Sequence, residues 1–182
     1  ITFLGKMKAN KFAVKIGDTI EWTYGGIKKF GKVDWKPFTK DGEHILLCPP
    51  TKAICRLYHL GDEQLWIDTQ LTELQKYTDR NIIVRKKDTK IPLQKQLQNC
   101  HAVVTHQSTA AIEAILNGVP SFCDEVSAAN EVSESLYENI ESPHYPDDDL
   151  IKQWTDSLLA VQFTGDEFKD GTAYHTATRL QT

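Results

Sequence analysis

CHAVVTHQSTAAIEAILNGVPSFC, residues 100–123, contains in succession an apolar strand, a polar turn, a helix and a second apolar strand. His101–Thr105 and Val119–Cys123 are short and almost wholly apolar, and Ser108–Asn117 between them ends at Gly118. Strands without alternation are typical of a sheet that is buried on both faces. A helix between two such strands predicts a parallel pair, because the helix returns the chain to the starting edge of the sheet.

The same alternation of strands and helices extends in both directions from this stretch. Further strands are predicted at His44–Cys48 and Asn81–Arg85. Helices are predicted over Asp62–Thr78, Ile91–Asn99, Ser127–Asn139 and Asp147–Gln162. The sequence therefore predicts an α/β fold, a Rossmann-like parallel sheet with helices on both faces. A short β-rich or irregular segment precedes it.

Length and composition are those of a globular protein. The chain has 182 residues, of which 40% are hydrophobic and 25% charged, enough for one domain with a core. Residues 1–41 contain glycines and no helical period, so we expect a β-rich or irregular N-terminal segment there, followed by a Rossmann-like domain over 42–182. Because the sequence does not begin with Met, we expect it to begin inside a longer protein.

Several functional classes are disfavoured by motifs that the sequence lacks. The sequence contains no run of eighteen apolar residues, so it predicts no membrane-spanning helix. The four cysteines form no C-x-x-C pair and the histidines no H-x-x-x-H spacing, which favours buried reduced thiols over a metal site. Neither a P-loop nor G-x-G-x-x-G occurs, and Ser108 lacks the glycines of a nucleophile elbow.

Charge is distributed unevenly along a chain whose net charge is −4. Residues 1–40 contain nine lysines against three acidic residues, and residues 124–170 contain two lysines against thirteen acidic residues. Solvated surfaces would explain both. The alternative is that the basic N-terminal portion faces an anionic substrate or acceptor, nucleic acid included.

The turn before the Ser108–Asn117 helix is a candidate phosphate site. Ligands of such sheets bind beyond the carboxyl ends of the strands. Ser108 or Thr109 can cap the helix and leave amide groups and the positive end of the helix dipole facing outward, which suits a phosphate or pyrophosphate. Ala110 and Ala111 allow close approach of a ligand.

Glu113 lies one turn further along the same helix. Thr109, Glu113 and Asn117 share one stripe, and the carboxylate is placed to accept hydrogen bonds from ribose hydroxyls. An ordinary solvent-facing glutamate has the same spacing, and the spacing does not decide between the two.

Residues 100–122 resemble the C-terminal domain of GT-B glycosyltransferases through their strand, Ser/Thr turn and E-A-x-x-x-G-x-P helix end. More narrowly, they are similar to capsular-polysaccharide and Kdo-transferase-like proteins of bacteria and phages. Residues 154–171, WTDSLLAVQFTGDEFKDG, resemble the terminal helix and tail of that group, and HILLCPPT at 44–51 its first donor-half strand. The resemblance covers about 44–172, and nucleotide-sugar epimerases share the same half-domain.

The resemblance implies a role for seven residues. The residues that it assigns to the donor phosphates are Thr51, Lys52, Arg85, Gln107, Ser108 and Thr109; it assigns Glu113 to ribose. His106 precedes the phosphate turn and is a candidate catalytic residue, with no other catalytic residue assigned. Relatives often have R-x-H-P after the second strand, whereas this chain has Arg85-Lys86-Lys87-Asp88 and keeps the arginine alone.

The resemblance further implies a metal-independent glycosyltransferase in polysaccharide biosynthesis, which transfers sugar from a nucleotide-sugar to a glycan or other anionic acceptor. The nucleotide-sugar is a substrate, and no cofactor is implied. We expect a cytoplasmic protein of a bacterial or phage-infected cell. Its partner would be an N-terminal domain or a second copy of the chain, and residues 1–41 would be a remnant of an acceptor domain. Nucleic acid as acceptor, an epimerase-like enzyme and a non-catalytic nucleotide-binding or assembly module stay open as alternatives.

Overall fold

The structure is a computed structural model, and it describes residues 33–160 and 162–179. Most of the predicted segment 1–41 lies outside the described residues. The strands are β1 (His44–Cys48), β2 (Asn81–Val84), β3 (Cys100–Thr105) and β4 (Ser121–Cys123). The helices are α1 (Lys52–Leu57), α2 (Glu63–Leu74), α3 (Leu93–Gln96), α4 (Thr109–Leu116), α5 (Asp148–Ala160), α6 (Gly165–Lys169) and α7 (Thr172–Arg179).

The four strands form one parallel sheet in the order β2-β1-β3-β4. From β1 the chain crosses to one side to make β2, and it returns past β1 to make β3 on the other side. The loops after β1 and β3 therefore leave the sheet in opposite directions, which opens a crevice at the carboxyl edge between them. The predicted α/β, Rossmann-like class is confirmed.

Both faces of the sheet are covered, because alternate residues of each central strand point to opposite sides. One face packs on α2 and the segment ending at Ile140, through Ile45, Leu47, Ala102, Val104, Phe122, Trp66, Ile67 and Leu74. The other face packs on α3 and α4, through Leu46, Cys48, Cys100, Val103, Leu93, Leu97, Ala110, Ala114 and Val119. Helices on both faces explain why these strands show no polar alternation.

Residues 34–146 form one compact unit, in which the segment 34–41 lies on the C-terminal end of α4 and contains no strand. The Lys36 amide donates to the Leu116 carbonyl at 3.0 Å, and the Thr39 amide donates to the Gly118 carbonyl at 2.9 Å. Gly118 ends the helix with a φ of +74°, and a Cβ built on it would lie 2.2 Å from the Pro37 carbonyl oxygen. This position therefore requires glycine on two counts, backbone angle and space.

The helix predicted over Ser127–Asn139 is wrong. The structure has two short 3₁₀ turns there, Asn130–Val132 and Tyr137–Asn139. Between them Glu134 bridges to β4: its amide donates to the Ser121 carbonyl at 2.9 Å, and the Cys123 amide donates to its carbonyl at 2.8 Å. The free backbone groups of β4, an edge strand, outweigh the local helical preference of this segment.

Residues 147–179 belong to a second compact unit and are mostly helical. The Asp147 carboxylate accepts the Leu150 amide at 2.8 Å, and two further aspartates occupy the first turn of α5, where the helix dipole favours acidic groups. Thr164 and Glu167 form a reciprocal capping box at the start of α6. None of the described helices combines the length and apolar character that crossing a membrane requires.

We expect Gly118→Ala to destabilise the protein by about 2 kcal/mol or more, because alanine would adopt a left-handed backbone and its methyl group would overlap the Pro37 carbonyl. Gly165→Ala is the matched control, since a Cβ at that helix position meets no atom within 4 Å. Urea denaturation of both variants measures the difference. Equal unfolding midpoints would contradict the described packing of 34–41 on α4.

Candidate functional site

The loops after β1 and β3 lie side by side at the carboxyl edge of the sheet. Cys48 and Thr105, the last residues of the two strands, are paired in register. The Thr105 hydroxyl donates to the Cys48 carbonyl oxygen at 2.7 Å, which fixes the two strand ends to each other. The residues that follow are therefore held on either side of the crevice, where ligands of such sheets bind.

On the β3 side, α4 begins at the crevice with its N-terminus. Ser108 is the N-cap residue, and its hydroxyl accepts the Ala110 amide at 3.2 Å. Thr109 is exposed, and its amide has no hydrogen-bond partner among the described residues. The small side chains of Ala110 and Ala114 let the helix pack closely on the sheet. Thr109 therefore offers one exposed amide at the positive end of the helix dipole, which can hold an anion. Ala110 and Ala111, which were expected to allow close approach of a ligand, are buried instead.

On the β1 side, Thr51 is the N-cap residue of α1, and its side chain makes no capping hydrogen bond. Its hydroxyl is therefore not used by its own helix. Lys52 follows as the first residue of α1 and is exposed, without an ion pair among the residues that the structure describes. The crevice thus has one exposed cation and a hydroxyl on one side and a helix N-terminus on the other.

His106 lies two residues before the α4 cap and is buried, with only 4% of its surface exposed. Its Nδ1 is hydrogen-bonded to the Asp124 carboxylate, which follows β4, and the Asp124 amide donates to the His106 carbonyl at 3.1 Å. Its Nε2 is buried and has no hydrogen-bond partner in the described part of the chain. A buried polar atom without a partner costs about 1–3 kcal/mol, so this nitrogen is a candidate contact for a ligand.

Tyr58 connects α1 to this loop. Its ring meets the His106 ring edge-on, with centroids 4.9 Å apart and planes at 74°. Its hydroxyl donates to the Gln107 side-chain oxygen at 3.4 Å, near the upper limit for a hydrogen bond. Gln107 is itself buried, so its side chain is part of the packing between this loop and Tyr58.

Arg85 and Glu113 are both bound by glutamines of α3. The Arg85 guanidinium donates to the Ile91 carbonyl oxygen at 2.7 Å and to the Gln96 side chain. The half-buried Glu113 carboxylate accepts from the Gln94 amide at 3.1 Å, which leaves its second oxygen available to a ligand. These two residues therefore form a second group around α3, and it borders the crevice, because the charges of both residues act on the thiol of Cys48 at the end of β1.

The structure thus places the eight predicted site residues in two groups. The first group lies in the loops and helix starts that border the crevice between β1 and β3, and it consists of Thr51, Lys52, His106, Gln107, Ser108 and Thr109. Sequence reasoning missed Asp124 and Tyr58 as partners of this group. No spacing in the sequence indicates that the Asp124 carboxylate meets His106.

A cavity of about 630 Å³ lies at the opposite edge of the sheet, lined by residues 75–80 and Glu141. Its cations already have partners: Lys76 is paired with Glu73 at 2.6 Å and Arg80 with Glu141 at 2.9 Å. Burial raises the pKa of Glu141, but hydrogen bonds from Thr78 and Arg80 outweigh it, so that this pKa is lowered overall. The cavity therefore offers an anion no unpaired cation, unlike the crevice.

The four cysteines are free and buried. Burial raises the pKa of Cys48 to about 12, against the opposing effect of the Arg85 charge, and burial raises that of Cys100 to about 12. Burial also raises the pKa of Cys55 and of Cys123. Among the described residues, no three His, Cys, Asp or Glu side chains converge in a way that could hold a metal ion.

No family model matches the chain, and no curated protein sequence does. Among solved structures, the chain is similar to KpsC of Thermosulfurimonas dismutans, a beta Kdo 2,4 transferase, with a TM-score of 0.40 and 14% identity. The match covers 86% of this chain and 56% of that one, so the chain spans little more than half the length of that protein.

We expect all four thiols of the native protein to react slowly with a thiol reagent between pH 7 and pH 9. Because burial raises their pKa values, the reactive thiolate is scarce throughout that range, and access is blocked as well. The same protein in guanidinium chloride should react fast and completely. Rapid modification of one thiol in the native protein would contradict the described burial of that cysteine.

Proposed function

We propose that the chain binds a nucleotide-sugar at the crevice between β1 and β3 and takes part in glycosyl transfer to a glycan or other acceptor. The observation that carries the proposal is the N-terminus of α4, which opens at the crevice beside a buried histidine nitrogen without a partner. The resemblance of residues 100–122 to glycosyltransferase donor domains supports the same assignment.

The phosphates of the donor are assigned to the first turn of α4 and the start of α1. The exposed Thr109 amide and hydroxyl would meet one phosphate oxygen from the α4 side. The Thr51 hydroxyl, unused in capping, and the exposed Lys52 ammonium would meet the phosphates from the α1 side. Together they provide hydrogen-bond donors and one full positive charge for a diphosphate.

The ribose of the donor is assigned to Glu113. Its carboxylate is half-buried and already receives one hydrogen bond from Gln94, so its orientation is fixed before the ligand binds. Its second oxygen would accept from a ribose hydroxyl. Arg85 is assigned a lesser share in phosphate binding, because Ile91 and Gln96 hold its guanidinium.

In the proposed reaction, the bond between the anomeric carbon and the phosphate oxygen breaks, and the electron pair stays on the phosphate. The helix end and Lys52 would stabilise the charge that develops there, without moving during the reaction. An acceptor hydroxyl oxygen bonds to the anomeric carbon, and its proton passes to water. The residues named above are all assigned to the donor, and no residue is assigned to the acceptor.

We expect at least one of UDP, GDP, CMP and their sugar conjugates to raise the melting temperature, because a ligand that binds only the folded chain stabilises it. Lys52→Ala should weaken binding of that nucleotide about tenfold, through loss of a charged phosphate contact. Lys76→Ala is the control, since it removes the same charge at the opposite edge of the sheet. No shift with any nucleotide at millimolar concentration would overturn the proposal.

We expect Glu113→Ala to weaken nucleotide binding about tenfold while the affinity for inorganic pyrophosphate, which has no ribose, stays unchanged. Calorimetric titration with both ligands measures the two affinities. The melting temperature of the unliganded variant shows whether the fold is intact. Equal losses for both ligands would show that Glu113 maintains the structure of the site rather than binding ribose. Unchanged affinity for both would show that its side chain faces solvent and binds neither ligand.

A further inference from the structure

Two histidines of β3 and its following loop have a buried ring nitrogen without a partner in the described structure. His101, near the start of the strand, is fixed at its other nitrogen by the Ile140 carbonyl oxygen at 2.7 Å and lies far from the crevice along β3. His106 follows the end of the strand, two residues before the cap of α4. Of these two histidines, only His106 therefore lies in a loop that borders the candidate site.

The contact with Asp124 determines which nitrogen of His106 carries the proton. An ionised carboxylate can only accept a hydrogen bond, so the proton of the neutral ring lies on Nδ1. Nε2 then has a lone pair and is a hydrogen-bond acceptor. A partner for it must supply a proton of its own, which a hydroxyl does and an ionised phosphate does not.

We propose that His106 Nε2 accepts a hydrogen bond from a hydroxyl group of the bound nucleotide-sugar, and that Asp124 is a positioning residue that fixes the tautomer. This inference rests on the proposed nucleotide-sugar site, and it adds the group that recognises a hydroxyl there. The ligand hydroxyl supplies the hydrogen-bond partner that Nε2 lacks in the free protein. Discrimination follows, because an analogue without that hydroxyl leaves the nitrogen unpaired.

The ligand reaches Nε2 when a neighbouring group moves, and Tyr58 is the aromatic ring that contacts the imidazole. Tyr58 is at the C-terminal end of the short helix α1, and its hydroxyl bond to Gln107 is long at 3.4 Å. A bond of that length is weak, so the ring contact with His106 is the main interaction that Tyr58 loses when it moves. The partner hydroxyl comes from the ribose or from the transferred sugar.

The first test compares His106→Asn with His106→Gln in the full chain, with the nucleotide that gives the largest melting-temperature shift as probe. Asparagine can still donate to Asp124 but has no atom in the place of Nε2, and we expect about tenfold weaker binding. Glutamine places an amide oxygen near that position and should recover part of the loss. Melting temperatures without nucleotide report the effect on the fold.

The second test uses Asp124→Asn, which keeps the proposal testable even if variants of the buried His106 fail to fold. The Asp124 side chain is 58% exposed, so this substitution should leave the fold intact. The asparagine amide can donate to Nδ1, which moves the ring proton to Nε2 and abolishes the acceptor. Nitrogen-15 spectra of the imidazole should show the change of tautomer, together with about tenfold weaker binding. Asp79→Asn, an exposed aspartate just before β2, is the control that loses the same charge.

The source of the hydroxyl is identified with 2′-deoxy and 3′-deoxy forms of the nucleotide and with the nucleotide lacking its sugar. The form without the relevant hydroxyl should bind wild type and His106→Asn equally well. Equal affinity of wild type and Asp124→Asn for the intact probe, or a wild-type Nε2 resonance that does not move when the probe binds, would overturn the inference. Absence of binding by every nucleotide would overturn the proposed function instead.

Discussion

The pairing of β1 with β3 is the interaction on which the other features of the sheet unit depend. The two strands are apolar on both faces, so the sheet must be covered on both sides. The connections between the strands provide that cover, because they run over one face or the other. The same pairing brings the ends Cys48 and Thr105 together and joins them by a hydrogen bond. The crevice exists because these ends are adjacent while the following loops diverge.

The sheet was predictable because its signal is local. Unbroken apolar runs identify the strands, and the structure places β1 at His44–Cys48 as predicted and β3 one residue longer than predicted. Ser108 as a helix cap was predictable for the same reason, since capping involves neighbours in sequence. The helix predicted over 127–139 was wrong because its backbone groups pair with β4, and that competition is visible only in three dimensions.

The composition of the candidate site was predictable only in part. Thr51, Lys52 and the residues of the β3 loop lie at the same edge because strand ends meet there, which is a rule of the fold. The pair His106 and Asp124 spans eighteen residues and depends on how two loops pack, so no spacing rule indicates it. The bonds that hold Arg85 and Glu113 to α3 depend in the same way on a helix whose side chains had no assigned role.

The bridge at Glu134 has a consequence for association between copies of the protein. An uncovered edge strand offers its amides and carbonyls to any passing strand and is a common starting point of aggregation. At β4 the backbone groups of Ser121 and Cys123 are already used by Glu134, whose carboxylate is bonded to Asn139 at 3.2 Å. Glu134, which is half-buried and carries a carboxylate, therefore covers the edge of β4 and protects it against the addition of a foreign strand.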